Sequence, residues 1–181
     1  MRLLLTIWLS VWAGWVAAEP PDQLYEPGVV ALMRHALAPG TGDPAAFSLE
    51  DCSTQRNLDA RGRAQARRTG AALREAGVRF DAIWSSQWCR SRDTATLMGL
   101  GPVEEQPPLN SFFAGRGDRA AQTAATRELI AAMPADARLL LVTHQVNITA
   151  LTGRGVASGE IIVTRRTGQG LEPVARYMIA P

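Results

Sequence analysis

Gly28-Val29-Val30-Ala31-Leu32-Met33-Arg34-His35 is an unbroken apolar run that ends on a cation and an imidazole. With no polar alternation and too little length for an ordinary helix, Gly28 to Met33 suits a strand buried on both faces. Asp81 to Ser85, Leu139 to Thr143, Ile161 to Thr164 and Ala175 to Ile179 read the same way. Helical stretches lie between them. The clearest runs from Ala60 to Ala76 behind Asp59 as N-cap, with Ala66, Thr69, Ala72, Leu73 and Ala76 on one stripe and Arg63, Arg67 and Arg74 opposite. Further helices are expected after Arg90, from Asp118 to Met133 with Pro134 as the stop, and from about Asn147. Strands alternating with helices predict a three-layer α/β/α sandwich on a mostly parallel sheet. The last two strand candidates have no helix between them, which predicts an antiparallel edge strand.

Ligands of such sheets sit at the carboxyl ends of the strands. The chain has only two histidines, and both fall there: His35 after the first strand and His144 directly after Thr143. A third strand end leads into Ser85-Ser86-Gln87-Trp88-Cys89-Arg90, which puts Arg90 at the start of a helix, where the dipole favours an anion. Arg34, Arg90 and that helix start make a phosphate cradle, because a guanidinium gives two parallel charge-assisted bonds to phosphate oxygens and stays charged at neutral pH.

Composition narrows the alternatives. At 181 residues, 46% hydrophobic and 20% charged, the chain fits one ordinary globular domain. A net charge of +2 is too small for a broad field directed at nucleic acid or an anionic membrane. All nineteen basic residues are Arg. Without Lys there is no Walker A phosphate loop, no Schiff-base chemistry and no Ser-Lys hydrolase. A serine hydrolase of the G-x-S-x-G type lacks its motif.

Residues 1–18 read as a signal peptide: Arg2, the apolar run Leu3 to Trp15, then Val16-Ala17-Ala18 as a small-residue cleavage site. The run is shorter than the roughly 20 residues that cross a bilayer, so no stable membrane span is expected after cleavage. Residues 19–181 form the domain, with 19–27 as an exposed leader, and a periplasmic or secreted location is expected. There Cys52 and Cys89 are an even pair able to form one disulfide, or else two buried thiols. Two Cys and two His are too few, and wrongly spaced, for a structural zinc site.

Four segments, in order, resemble the histidine phosphatase superfamily, branch 1, which includes the cofactor-dependent phosphoglycerate mutases and the small phosphohistidine phosphatases. They are Leu32-Met33-Arg34-His35; Arg56-Asn57-Leu58 with Gly62 and Ala66; Ser85-Ser86 to Thr94-Ala95 with Arg90; and Val142-Thr143-His144 with Asn147. The resemblance implies a phosphatase in which His35 is the nucleophile and forms a phosphohistidine that water hydrolyses. It implies that Arg34, Arg90 and His144 hold the non-bridging oxygens, with neither metal nor cofactor required. Arg56 and Asn57 become substrate-binding candidates, although a structural Arg56 fits equally well. The partner is a small phosphorylated molecule.

The departures bear on mechanism. Ala36 stands where the family writes Gly, and Leu109-Asn110-Ser111 stands where mutase-like members carry a Glu general acid. Asp118 is the candidate substitute, with an N-cap as its other reading; Glu104 and Glu105 are further candidates. An exported, metal-independent phosphomonoester hydrolase is the leading expectation. The alternative is a phosphate-ligand-binding module of the same fold, non-catalytic or very weakly active. Gly40-Thr41-Gly42 and Gly115-Arg116-Gly117 read as loops, residues 36–55 as a loop shaping substrate access, Asn147-Ile148-Thr149 as no glycan site, and Trp88 as lining the pocket or covering Cys89.

Overall fold

The computed structural model describes residues 19–181; the segment read as a signal peptide lies outside them. The strands are β1 (Val30–Arg34), β2 (Ala82–Ser85), β3 (Glu104–Glu105), β4 (Leu139–Thr143), β5 (Ile161–Thr167) and β6 (Gly170–Tyr177), joined in one sheet in the order β3-β2-β4-β1-β5-β6. The first four pair in parallel, β5 runs antiparallel to β1, and β6 runs antiparallel to β5. The expected antiparallel edge is therefore a two-strand hairpin. Its second strand starts at Gly170, earlier than Ala175, because Leu171-Glu172-Pro173 pairs with β5 although its proline breaks any strand-like pattern. β3 escaped sequence reading for the same reason: it is two exposed glutamates.

The helices are α1 (Ala60–Glu75), α2 (Cys89–Met98), α3 (Arg119–Ala132) and α4 (Gln145–Thr152). Alternate residues of β1 and β4 point to opposite faces. Ala31, Met33, Leu140 and Val142 join the core under α1 and α2, while Val30, Leu32, Leu139 and Leu141 join the core with Ile130 of α3 and Ile148 of α4. Both faces are covered, which is why these strands read as continuous apolar runs.

α1 starts where Asp59 accepts the Gly62 amide. Its buried stripe is Gly62, Gln65, Ala66, Thr69, Gly70 and Leu73, so Ala72 and Ala76 sit at the margin of the face expected for them. The two glycines explain the displacement. A Cβ at Gly62 would strike the Leu37 carbonyl, and one at Gly70 the Met98 carbonyl, so the helix lies against backbone that only glycine lets it approach. Buried Gln65 accepts the Leu37 amide at 2.9 Å and donates to the Ser158 and Ile179 carbonyls. These bonds fix the chain just beyond His35.

The leader at 19–27 is a correction. Asp22–Tyr25 forms a 3-10 turn that inserts fully buried Leu24 into the core, a single anchor that its proline and acidic neighbours conceal. Among the described residues, no helix is long and apolar enough to cross a membrane.

Candidate active site

β1 and β4 are adjacent and parallel, with Arg34 in register with Thr143. The next residue on each strand is a histidine, and the His35 amide donates to the Thr143 carbonyl at 2.9 Å. Strand register thus sets the two imidazoles side by side, with ring centroids 5.5 Å apart. Both are buried, at 1% and 3% exposure. Arg34, Arg56 and Arg90 converge with them on a cavity of about 220 Å³ that Gly40, Thr41, Gly42, Ser111, Phe113, Gln145 and Val146 also line.

His35 Nδ1 lies 2.8 Å from the Ala36 carbonyl. A carbonyl only accepts, so Nδ1 carries the proton and Nε2 holds the free lone pair. His144 Nε2 lies 2.8 Å from Ser86 Oγ, which also receives the Trp88 amide. Ser86 Oγ also donates to Asn110 Oδ1 at 3.2 Å, and His144 Nδ1 is a buried atom with no protein partner. Arg34 Nε and Arg90 Nε are likewise buried and unpartnered. An unmet buried donor costs about 1–3 kcal/mol. The residues that carry these three atoms line one cavity.

Burial, then the nearby Arg90 charge, holds both histidines well below the ordinary imidazole value. They are neutral at pH 7, as a nucleophile requires. Burial and then Arg90 lower Arg56 to about 10, which leaves it charged.

Arg90 is the second residue of α2 and pairs with Asp43 at 2.7 Å, both side chains at 5% exposure or less. Asp43 Oδ1 also accepts the Arg56 amide at 3.1 Å, and Oδ2 accepts Trp88 Nε1 at 3.1 Å. Burial raises this carboxyl, but the hydrogen bonds and charge of Arg90, with help from Trp88 and Arg56, outweigh it and leave it below the usual carboxylate range. The first amide of α2 is taken by Gln55 Oε1, so that N–H is not offered to a ligand as the sequence had implied.

The remaining candidates divide. Arg56 lines the cavity, with its guanidinium tied to the Gly42 and Ala38 carbonyls. Asn57 does not line it; its amide donates to the Cys52 carbonyl and serves the loop. Asp118 accepts the Ala121 amide as N-cap of α3 and is not among the lining residues. Glu105 pairs with exposed Arg92, and Glu104 accepts from Gln106. The lining therefore contains no carboxylate. Ser111 occupies it instead, buried, on a segment held by Thr143 Oγ1 bonding the Leu109 carbonyl.

Cys52 and Cys89 form a disulfide that ties the long loop to α2 one residue before Arg90. Trp88, expected to line the pocket or cover Cys89, is not among the lining residues; its ring stacks on Phe47 at 4.9 Å and meets the His144 ring edge-on at 5.5 Å. Asn147 is buried, in keeping with its reading as no glycan site. Among the described residues, no three His, Cys, Asp or Glu side chains cluster as metal ligands. Sequence reading missed Asp43 and gave no role to Ser86 or Ser111. Only the last two lay at positions the family pattern marks.

The fold is similar to several solved structures. The protein histidine phosphatase SixA complexed with tungstate is 18% identical, with a TM-score of 0.60 over 83% of this chain and 96% of that one. The Rv3214 open reading frame product of Mycobacterium tuberculosis is 17% identical, with a TM-score of 0.63 over 83% and 97%. The mycobacterial glucosyl-3-phosphoglycerate phosphatase Rv2419c is 20% identical, with a TM-score of 0.54 over 75% and 89%. No curated protein sequence matches. The family model for the histidine phosphatase superfamily (branch 1) matches residues 30–120. That span holds Arg34, His35, Arg56 and Arg90, and the chain belongs to that superfamily.

Proposed function

We propose that the protein is an exported phosphomonoester hydrolase that works without a metal, through a phosphohistidine on His35. The observation that carries this reading is the set of three buried, unpartnered polar atoms, Arg34 Nε, Arg90 Nε and His144 Nδ1, on residues that line one cavity with His35, whose Nε2 is free. In the first step Nε2 attacks phosphorus as the bond to the leaving oxygen breaks. Arg34, Arg90 and His144 stabilise the charge on the three equatorial oxygens. The leaving oxygen takes a proton from water, since no carboxyl group lines the site. Water then attacks the phosphohistidine, the P–N bond breaks, and inorganic phosphate leaves with Nε2 restored.

Export is supported by the apolar run Leu3 to Trp15 ahead of Val16-Ala17-Ala18 and by the Cys52–Cys89 disulfide, a bond that persists in oxidising compartments. The small cavity supports a small phosphorylated molecule as substrate.

A second reading, a module that binds a phosphorylated ligand without turnover, draws on the same carboxylate-free lining. Hydrolysis of p-nitrophenyl phosphate by the purified protein and by its His35→Ala variant, both with EDTA present, separates the two. The hydrolase reading expects turnover that EDTA leaves intact and that His35→Ala abolishes. Equal rates from the two proteins would remove it.

A further inference from the structure

Asp43 lies behind Arg90, outside the cavity lining, and supplies no proton to it. Both Asp43 oxygens are spent, Oδ1 on Arg90 and the Arg56 amide, Oδ2 on Arg90 and Trp88. What the pair does to Arg90 follows from counting donors. A guanidinium has five N–H groups. Arg90 NH1 spends its two on Asp43 Oδ1 and the Arg56 carbonyl, and NH2 spends one on Asp43 Oδ2. Left over are Nε–H and one N–H of NH2, which lie side by side on the lateral edge of the planar group. Nε is the buried atom without a partner, and Arg90 lines the cavity.

We propose that Asp43 is the positioning residue of the phosphate cradle: it grips the end of the Arg90 guanidinium so that the lateral edge is presented as a two-donor fork to the phosphoryl oxygens. The assignment rests on the phosphatase reading above. Asp43 also offsets one of the three guanidinium charges of Arg34, Arg56 and Arg90. The cavity is left with a surplus of two, which matches a phosphate group close to its dianion at neutral pH.

These two effects make a distinctive signature. An amide at position 43 sets a donor against Arg90 NH2 and Trp88 Nε1, so the fork turns away, while loss of the carboxylate removes a like charge from beside the bound phosphate. A misaimed fork loses the contacts that strengthen in the transition state, which lowers kcat. A less acidic surround holds ground-state phosphate at least as well.

The test measures kcat for p-nitrophenyl phosphate and the inhibition constant of inorganic phosphate in the unaltered protein, Asp43→Asn and Asp43→Glu. For Asp43→Asn the expected result is a kcat lower by about ten- to a hundredfold, from the loss of charge-assisted bonds, with phosphate inhibition unchanged or tighter. A kcat within twofold of the unaltered protein, or phosphate inhibition that weakens in step with kcat as it would in a collapsed loop, overturns the assignment. Should Asp43→Asn fail to fold, Asp43→Glu keeps the charge and shifts the fork by one methylene. It is expected to lower kcat with phosphate inhibition within about threefold, and an unchanged kcat overturns the assignment. Turnover by the unaltered protein that Asp43→Asn matches sinks only the role of Asp43; absence of turnover in the unaltered protein sinks the phosphatase reading and this one together.

Discussion

His35 and His144 reach the cavity from the ends of two adjacent strands, whereas Arg56 reaches it, and Asp43 holds Arg90 from behind it, from the long connection between β1 and α1. The strand half is placed by backbone register and by apolar side chains on both faces of the sheet. The loop half contributes only Ala36, Ala38 and Leu58, near its two ends, to the core. A disulfide, a buried ion pair and a few side-chain bonds to carbonyls hold it against α2. In the proposed mechanism the attacking imidazole is thus mounted on the sheet, and the carboxylate that aims Arg90 is mounted on a tethered segment. Each tether of the loop can be cut singly, which the strand half does not allow.

The largest effect is expected from cutting the ion pair on its α2 side. Arg90→Ala leaves the Asp43 carboxylate buried beside only Trp88 and the Arg56 amide, and should cost about 3–5 kcal/mol in urea unfolding. Adding Asp43→Asn to the same chain should recover most of that loss while turnover stays low. Recovery of turnover would contradict a direct role for Arg90.

Removing the disulfide through Cys52→Ala with Cys89→Ala should cost about 4 kcal/mol, from the 37-residue separation that the bridge closes. The comparison sharpens if hydrogen exchange rises over residues 36–55 and stays slow over β1 and β4. Equal loosening of both halves would mean that the bridge supports the whole domain.

A smaller effect tests the strand half. The folded protein holds His35 and His144 well below the ordinary imidazole value, through burial first and the Arg90 charge second. Unfolding returns them to about 6.5. Below that pH the unfolded chain binds protons that the folded chain does not, so stability is intact above 6.5 and falls as pH drops toward the depressed folded values. Each histidine should cost about 1.4 kcal/mol per pH unit in that window. Melting curves between about pH 7.5 and 5 should show the decline, flattened in His35→Asn with His144→Asn. An equally steep decline in that variant would place the acid sensitivity elsewhere.

The smallest effect concerns a residue that the cavity excludes. Asp118→Ala should cost about 1 kcal/mol as a lost helix cap and leave kcat for an aryl phosphate unchanged. A kcat fall of tenfold or more would restore Asp118 as a proton donor.

The strand half was legible in the sequence because both of its signals are local. Val30 to Met33 and Leu139 to Val142 are apolar throughout, and each run is followed within two residues by a histidine. Parallel pairing then does the rest. The loop half carries no period. Asp43 sits among Gly, Pro and Ala, and its meaning depends on a chain path that brings it to Arg90, 47 residues away. Arg56 stood out only through the family pattern, and its neighbour Asn57 turned inward to the loop itself. The α1 stripe was read one step off because Gly62 and Gly70, which add no apolar weight, are the residues that allow closest approach. Ser86 was invisible as a partner of His144, since a hydroxyl at a strand end has many uses.

The most direct test of the account is to react the purified protein with p-nitrophenyl phosphate, quench it under alkaline conditions that spare the acid-labile P–N bond, and locate the phosphoryl group by mass spectrometry. The account predicts phosphate on the peptide that contains His35, and none after His35→Ala. Turnover with the phosphoryl group on another residue, or turnover that survives His35→Ala, would contradict it.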